Sequence, residues 1–222
     1  MCMAAQELYI DSVQHHFGGH NVLNGVYLTC KTGEVVGLLG RNGSGKSTLL
    51  RIIFGSLKPR YMHLKIDDSL TEKAYLTRKV AYLPQDHFIP AGLKVHEGIR
   101  MFIRHHKETL LKVDVIRANL QERMGELSGG NRRLIEALLM IYSDAPFVLL
   151  DEPFSQLAPL VADEVKMHIE TMKRHKGFVI TDHYYRQILS VSDRVVLLHN
   201  GANYTIKDPD DLIIHGYLPA QD

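Results

Sequence analysis

The segment from Gly40 to Thr48 constrains the fold of this 222-residue sequence more than any other part of it. Residues 34–39, just before it, form a short apolar run with β-branched side chains, which is typical of a buried strand. Residues 49–57, just after it, place apolar side chains at the spacing of a helix face. The sequence therefore predicts a glycine-rich turn that joins a buried strand to a helix.

This turn matches the pattern G-x-x-x-x-G-K-[ST], whose glycines let the backbone wrap closely around a phosphate group. The backbone N–H groups then point into one concavity at a helix N-terminus, where the partial positive charge favours an anion. Lys46 adds a cation for the β- and γ-phosphates, and the Ser47 hydroxyl is placed to ligate Mg²⁺. An incidental turn rich in glycine and serine is the alternative. The predicted nucleotide-binding residues are Gly40, Arg41, Asn42, Gly43, Ser44, Gly45, Lys46, Ser47 and Thr48.

Polar residues follow two further apolar runs that we interpret as parallel strands. Asp151 and Glu152 come directly after residues 147–150, and His183 follows residues 178–181. Because ligands bind at the carboxyl ends of parallel strands, we expect these side chains near the phosphate-binding turn. Asp151 is predicted to hold Mg²⁺, Glu152 to polarise an attacking water, and His183 to donate a hydrogen bond to a γ-phosphate. A salt-bridged strand end and a satisfied core histidine are the alternatives.

Two residues outside these segments are further candidates for the same site. Gln85 follows the apolar run 80–83, so its amide is predicted to reach Mg²⁺ or the attacking water. Phe17 lies in the region 8–31, which reads as short strands with a hairpin turn predicted at Asn24-Gly25. An aromatic ring upstream of a phosphate-binding turn is able to stack on adenine, with core packing as the alternative.

The segment Ser128-Gly129-Gly130 predicts a second anion-binding element. Ser128 is a good N-cap for the helix that follows, and the two glycines expose backbone donors at its positive end. A simple capped turn is the alternative. The apolar face of this helix is marked by Leu134, Ala137, Leu138 and Ile141.

Composition limits the other function classes. Lysine and arginine number 26 against 25 for aspartate and glutamate, so the charge gives no reason to expect nucleic acid binding. The two cysteines, Cys2 and Cys30, form no disulfide framework and no CxxC motif, which favours a reducing compartment. No apolar run approaches the roughly 18 residues that a membrane-spanning helix needs. We therefore expect a soluble protein without a signal peptide and without direct lipid insertion.

The order of these motifs resembles the nucleotide-binding subunit of an ATP-binding cassette (ABC) transporter over essentially the whole chain. LSGG followed by an apolar strand that ends in DEP is far more specific than the first motif alone. The resemblance assigns Gly40–Thr48 to Walker A, Gln85 to the Q-loop, Leu127–Asn131 to the signature motif, Phe147–Asp151 to Walker B, Glu152 to the catalytic glutamate, His183 to the switch histidine and Phe17 to the adenine-stacking aromatic.

The resemblance implies an α/β fold with a P-loop NTPase (RecA-like) core, an N-terminal antiparallel β subdomain and an inserted α-helical subdomain. The whole chain, 1–222, would be one ABC ATPase domain. Within the helical part, the sequence predicts helical structure over 96–124, with a surface helix at 114–124. A later helix is predicted over 161–175, ended by Gly177. The implied boundaries are 1–33 and 60–84 for the β subdomain, 34–59 and 132–222 for the core, and 86–131 for the helical subdomain.

The resemblance also implies a homodimer or a paired cassette with two ATP molecules between the subunits. Each ATP would be held by the Walker A loop of one subunit and by Ser128, Gly129 and Gly130 of the other. ATP binding closes the pair and hydrolysis opens it, which drives integral membrane subunits. The protein would then be cytoplasmic and peripheral on the inner face of the cell membrane.

Three departures from the family pattern affect these expectations. Asn131 replaces the glutamine of the signature motif, which keeps an amide. The D-loop, Ser155–Ala158, lacks the usual aspartate, which affects the predicted communication between the two sites. Only about 40 residues separate Gln85 from the signature motif, so the groove for a membrane partner is expected to be short.

Finer features and alternative functions remain open at this stage. Residues 151–154 and 180–183 are similar to those of cassettes for lipopolysaccharide extraction and branched-chain amino acid uptake. A soluble ABC-type ATPase of an assembly or repair machine is one alternative. Two features count against it: the chain has no long coiled-coil insertion, and it has only one cassette. A nucleotide-sensing module with little hydrolysis is the other, suggested by Asn131 and Ala158.

Overall fold

The computed structural model of the chain describes residues 5–208 and 210–219. In chain order the strands are β1 (Glu7–Phe17), β2 (His20–Lys31), β3 (Val35–Leu39), β4 (Tyr61–Ile66), β5 (Ser69–Leu70), β6 (Val80–Leu83), β7 (Phe147–Asp151), β8 (Gly177–Thr181), β9 (Arg194–His199) and β10 (Ala202–Ile206). The α-helices are α1 (Lys46–Phe54), α2 (Val95–Phe102), α3 (Lys107–Leu110), α4 (Asp114–Ala118), α5 (Gly129–Ile141), α6 (Pro159–Lys173), α7 (Tyr185–Val191) and α8 (Asp211–Ile214). None of the helices within these ranges is long and apolar enough to span a membrane.

The central layer is a six-stranded sheet in the order β10-β9-β3-β8-β7-β6. β10 runs antiparallel to β9, and the other neighbours are parallel. Strands β3, β7 and β8 are buried along their whole length, because helices and a second sheet cover the two faces. Val36 and Leu38 pack with α1 and the second sheet, whereas Val35 and Leu39 pack with α5 and α6. This architecture confirms the predicted α/β P-loop fold.

The second sheet is antiparallel, in the order β2-β1-β4-β5. The turn between β1 and β2 is formed by Gly18 and Gly19, both with positive φ. The hairpin predicted at Asn24-Gly25 is wrong, because both residues lie inside β2. Gly25 has φ 74°, and the register shifts there, with Val26 opposite Val13 and Asn24 opposite Gln14. Gly25 is therefore the extra residue of a β-bulge. A glycine with positive φ suits such a bulge as well as the hairpin turn that was predicted here.

The predicted boundary of the antiparallel β subdomain at residue 84 is also wrong. Strand β6 pairs in parallel with β7, from Val80 opposite Phe147 to Leu83 opposite Leu150. Its apolar ends, Val80 and Leu83, are buried in the core of the central sheet, which accounts for this pairing. The strand that precedes Gln85 thus belongs to the parallel sheet. The other boundaries of the division stay predictions.

The region between β6 and α5 contains three short helices rather than long ones. The helix predicted over 114–124 is wrong in length, since α4 ends at Ala118. The Asn119 side chain donates to the carbonyl of Val115 at 2.7 Å, which satisfies the helix end. The chain then turns back, and the carbonyls of Leu120 and Glu122 accept from the first N–H groups of α2. The residues after α4 therefore cap the N-terminus of α2. The pattern of apolar residues in the sequence does not reveal this role.

Helix α6 begins and ends two residues earlier than predicted, with Pro159 in its first turn. Val165, Ile169 and Met172 are buried as predicted, while Val161 is only partly buried. Gly177 does not end the helix; it is the first residue of β8. A Cβ atom there would lie 2.6 Å from the Lys31 carbonyl oxygen, so a glycine is needed where two strands approach closely.

This close approach gives the first prediction. We expect Gly177→Ala to lower the free energy of unfolding by about 1–3 kcal/mol, because the added methyl group overpacks backbone that has no room to move. The matched control is Gly92→Ala, where the nearest heavy atom to the new Cβ is Arg123 Nη1 at 3.9 Å. Urea titration measures both variants. Equal stability of the two variants would contradict the overpacking argument.

Candidate functional site

A cavity of about 620 Å³ opens where the carboxyl ends of the parallel strands meet the β1-β2 hairpin. It brings together residues that are far apart in the sequence. Most of the predicted site residues line it, including one from the N-terminal strand and three from separate strand ends. The lining residues are Phe17, Val22, Asn42, Gly43, Gly45, Lys46, Ser47, Thr48, Gln85, Glu152 and His183.

The glycine-rich turn forms one wall of the cavity and begins helix α1. Gly43 and Gly45 have φ of 79° and 100°, conformations that favour glycine. A Cβ at Gly45 would lie 2.9 Å from side-chain atoms of Val22 and Leu23, so the turn is also packed tightly against β2. The turn is thus shaped for close approach of its backbone to a ligand.

Lys46 is buried within this turn. Its Nζ donates to the carbonyl oxygens of Gly40 at 2.7 Å and Arg41 at 3.3 Å. Burial lowers the pKa of Lys46, while the carboxylates of Glu152 and Asp151 act in the opposite direction. The cation therefore rests on loop carbonyls beside the cavity, from which it is able to move to an anionic ligand.

Two other residues of the turn make hydrogen bonds within the turn or to the C-terminal segment. Arg41 does not line the cavity, and its Nη2 donates to the carbonyl of Gly216 at 2.6 Å. Ser44 donates its N–H to the Arg41 carbonyl at 3.0 Å and is not part of the cavity wall. Of the nine predicted turn residues, these two and Gly40 thus lie behind the lining surface.

Asp151 lies at the end of β7 and is almost fully buried. Its Oδ1 accepts from the hydroxyls of Ser47 at 3.0 Å and Thr181 at 2.9 Å, and its Oδ2 accepts from Tyr82 at 3.1 Å. Burial raises the pKa of the Asp151 carboxyl, although these hydrogen bonds oppose the change. The structure thus places the carboxylate directly beside the Ser47 hydroxyl, as the sequence predicted for a shared site.

Glu152 is the point on which the other candidate catalytic side chains converge. Its Oε2 accepts from Gln85 Nε2 at 3.0 Å and from the Ser155 hydroxyl at 3.1 Å. His183 Nδ1 lies 3.5 Å from the same oxygen. The Glu152 backbone has φ 52°, an uncommon conformation for glutamate, and its N–H donates to the Thr181 carbonyl at 2.8 Å.

Sequence reasoning gave no role to Asp182, which is fully buried next to His183. Its carboxylate accepts from the backbone N–H groups of Tyr184 at 2.9 Å and Phe154 at 3.3 Å. Burial raises the pKa of Asp182, and these hydrogen bonds act against that change. The side chain ties the turn that carries His183 to the loop that follows Glu152. Its position between a buried strand and a candidate histidine was the signal available in the sequence.

The signature segment lies apart from this cavity. Ser128 caps α5 as predicted, since its hydroxyl accepts from the Asn131 N–H at 3.3 Å. Within the described part of the chain, Ser128, Gly129 and Gly130 do not contribute to the cavity lining. One copy of the chain therefore does not bring its two predicted anion-binding elements together.

Phe17 occupies the rim of the cavity at the end of β1 and is 49% exposed. Its ring packs edge-on against His15, with ring centroids 4.5 Å apart. The residue is therefore half-buried, in contact with His15, and it lines the cavity. This placement favours the stacking interpretation over core packing.

Comparison with known proteins places these features in a family. The family model described as "ABC transporter" matches residues 23–155. The chain is 34% identical over 215 residues to an ABC transporter ATP-binding protein of Rhizobium meliloti (strain 1021), covering 89% of this chain and 78% of the relative. It is 32% identical over 201 residues to the lipopolysaccharide export system ATP-binding protein LptB of Escherichia coli (strain K12), covering 83% of each.

Solved structures agree on the fold. The chain superposes on an ATP-binding subunit of an ABC transporter with a TM-score of 0.82 at 24% identity, covering 97% of this chain and 95% of that structure. It superposes on a nucleotide-free ATP-binding cassette with a TM-score of 0.77 at 21% identity, covering 96% of each. The chain therefore belongs to the ABC transporter family, as one of the nucleotide-binding cassettes that hydrolyse ATP to power transport.

Proposed function

We propose that the cavity beside the glycine-rich turn is the ATP site and that Glu152 directs hydrolysis there. The observation that carries this proposal is the convergence of Gln85, Ser155 and His183 on one carboxylate oxygen of Glu152, next to Lys46. A group held in this way is prepared to orient a water molecule for attack on a terminal phosphate.

The nucleotide would lie along the cavity from its rim to the turn. Phe17 at the rim would stack on adenine, and the backbone N–H groups of residues 40–48 would bind the phosphates. Lys46 would exchange the carbonyls of Gly40 and Arg41 for the β- and γ-phosphates. The exposed face of Phe17 and the buried position of Lys46 support this orientation.

The oxygen ligands at the end of β7 fit Mg²⁺. The Ser47 hydroxyl and the Asp151 carboxylate are 3.0 Å apart, and oxygen is the ligand type that this ion prefers. Gln85 would supply its amide oxygen, while its Nε2 keeps the hydrogen bond to Glu152. When bound, Mg²⁺ would neutralise charge on the phosphate oxygens. Glu152 would accept a hydrogen bond from the attacking water and His183 would donate to the γ-phosphate, with no covalent intermediate.

A second copy, or a paired cassette, would complete the site. Ser128 caps a thirteen-residue helix that begins with Gly129 and Gly130. These three residues lie outside the cavity of their own chain, so they would serve the nucleotide of the neighbour. The D-loop would lie at this contact. Ala158 is the N-cap of α6 and Leu160 is 84% exposed, which would make the contact apolar where the family has an aspartate.

A further cavity, of about 740 Å³, supports a membrane partner. It lies between the edge strand β6 and helix α2, and we name it the β6-α2 groove. Ala81, Phe88, Met101 and Phe102 line it together with the charged residues Arg104 and Asp144. A cytoplasmic helix of an integral membrane subunit, with an apolar face and charged flanks, fits this lining. The chain would then be cytoplasmic and peripheral on the inner face of the cell membrane.

The similarity to LptB supports the finer proposal that the transporter exports a lipopolysaccharide-like molecule. Cassettes for branched-chain amino acid uptake are the second candidate, since residues 151–154 and 180–183 resemble both. Purification of the chain with its membrane subunit decides between them. A soluble partner from an assembly or repair machine would contradict the transporter proposal.

Glu152→Gln tests the assignment of the site. We expect hydrolysis to fall by at least about 100-fold, because the amide does not accept a proton from the water. ATP should still bind, so gel filtration with ATP and Mg²⁺ should show a stable dimer. Lys46→Ala is the control that should lose ATP binding and therefore remain a monomer. Wild-type hydrolysis by Glu152→Gln, or a monomer with ATP bound, would overturn the proposal.

Asp151 gives a prediction on stability. Because burial raises the pKa of its carboxyl above 3.8, the folded protein binds this proton more tightly than the unfolded chain. The contribution of this group to stability therefore falls as the pH rises above about 4. Asp151→Asn removes the buried charge and keeps an acceptor for Ser47 and Thr181.

We therefore expect nucleotide-free Asp151→Asn to be more stable than the wild type at pH 7. The difference should shrink towards pH 4, where the wild-type carboxyl takes up its proton. Urea unfolding at several pH values measures this, and Mg²⁺-dependent hydrolysis should be lost in the same variant. A variant that is less stable at pH 7 would contradict the argument.

A further pair of variants tests the β6-α2 groove. Met101 lines the groove and Leu70 does not, yet both side chains are 66% exposed. We expect Met101→Asp to reduce recovery of the membrane subunit in a pull-down by at least about tenfold, because a carboxylate is costly to bury in an apolar contact. ATP affinity should not change. Leu70→Asp should retain the partner, and an equal loss in both variants would argue against this groove.

A further inference from the structure

Arg133, in the second turn of α5, joins that helix to the ends of two parallel strands. Its side chain is 2% exposed. Nη1 donates to the Pro84 carbonyl at 2.7 Å, and Nη2 donates to the carbonyls of Asp151 at 2.6 Å and Glu152 at 2.9 Å. One guanidinium thus holds the backbone directly before Gln85 and at Glu152.

Stability alone is a poor explanation for this arrangement. Burial lowers the pKa of Arg133, because its charge is kept away from water, although nearby carboxylates, that of Glu136 first, act in the opposite direction. Within the described ranges no carboxylate lies in ion-pair distance of its guanidinium, and its Nε has no hydrogen-bond partner. A buried cation whose hydrogen bonds go only to backbone carbonyls stabilises the fold less than an apolar side chain of similar size would.

What the three hydrogen bonds fix is the backbone that aims Glu152. With φ of 52° at Glu152, the chain turns so that the side chain reaches Gln85 and His183. The left-handed conformation is unfavourable for glutamate and persists only where neighbours hold it. The Thr181 carbonyl holds the N–H of Glu152, and Arg133 holds its carbonyl.

We propose that Arg133 is a positioning residue for hydrolysis, which keeps Gln85 and Glu152 in contact and links both to helix α5. This inference rests on the proposed role of Glu152. Because Ser128 caps α5, a shift of this helix towards a neighbour's nucleotide would move the Glu152 backbone through Arg133. The planar guanidinium presents several donors at fixed angles, whereas a lysine ammonium carries the same charge without that geometry.

Arg133→Lys and Arg133→Gln test the proposal in the full-length chain. We expect Arg133→Lys to lower kcat at least tenfold while KM and the affinity for a fluorescent ATP analogue change by less than threefold. Arg133→Gln keeps one amide donor and provides a second variant should the lysine variant fold poorly. Urea unfolding shows that each variant is folded.

The matched control is Arg132→Lys on the same helix. Arg132 also donates to a backbone carbonyl, that of Ile89 at 2.7 Å, but it does not contact the strand ends. We expect its kcat to stay within threefold of the wild type. Equal losses in the two lysine variants, or a loss of ATP affinity in Arg133→Lys that matches its loss of kcat, would indicate a general structural role and overturn the proposal.

A double-mutant cycle with Gln85→Ala measures the coupling between the two residues in kcat. A general structural role of Arg133 would not produce such coupling. If Arg133 acts by holding Gln85 against Glu152, then Arg133→Lys should lower kcat much less in the Gln85→Ala background than in the wild type. Losses that multiply independently would overturn the inference. If Glu152→Gln is inactive and Arg133→Lys is normal, the inference fails alone; if Glu152→Gln is fully active, the proposed function fails and the inference with it.

Discussion

The parallel pairing of β6, β7, β8 and β3 is the constraint on which the candidate site depends. Its register places Leu83 opposite Leu150 and Asp151 opposite Thr181, so these strands end at one edge of the sheet. The residues that follow each strand, from Gln85 to His183, therefore meet without needing contacts of their own. Strands buried on both faces allow little sliding, because a shift of one residue would exchange the side chains packed on the two faces and disrupt both close-packed layers. The rigid sheet thus fixes the positions of the residues that follow its strands more precisely than loops alone could.

The same edge concentrates buried charge, which opposes stability in the absence of a ligand. Lys46, Asp151, Asp182 and Arg133 are all less than 7% exposed. Burial raises the pKa of both aspartates and lowers that of the lysine and the arginine, so each charged form is less favourable here than in water. A triphosphate with its cation would supply partners for two of these groups, Lys46 and Asp151. Nucleotide binding would therefore offset part of the free energy that the burial of these two charges costs.

Short sequence motifs predicted most of the residues that meet at the candidate site. The wrong predictions concern residues whose roles depend on contacts with distant parts of the chain. The glycine-rich turn and the strand ends at Asp151 and His183 are contiguous in sequence, so their chemistry could be inferred directly. Asn24-Gly25 was interpreted as a hairpin because its role in a bulge depends on Val13, in another strand. Arg133 was missed because it lies in a polar stretch that is typical of a solvated helix start. Its partners at positions 84 and 151 are 49 and 18 residues away.

Three segments that are separate in the sequence reach Glu152 through three different groups. Ser155 in the D-loop and Gln85 after β6 contact its carboxylate, and Arg133 in α5 contacts its backbone. The D-loop lacks the family's aspartate, yet its serine still touches the carboxylate that would direct hydrolysis. A neighbour that presses on the D-loop would therefore act on Glu152 through Ser155, without a charged residue at the contact. Communication between two sites needs only an element that has two arrangements, with an equilibrium that both sites shift. The turn at Glu152 is held in an unfavourable conformation and is therefore suited to that role.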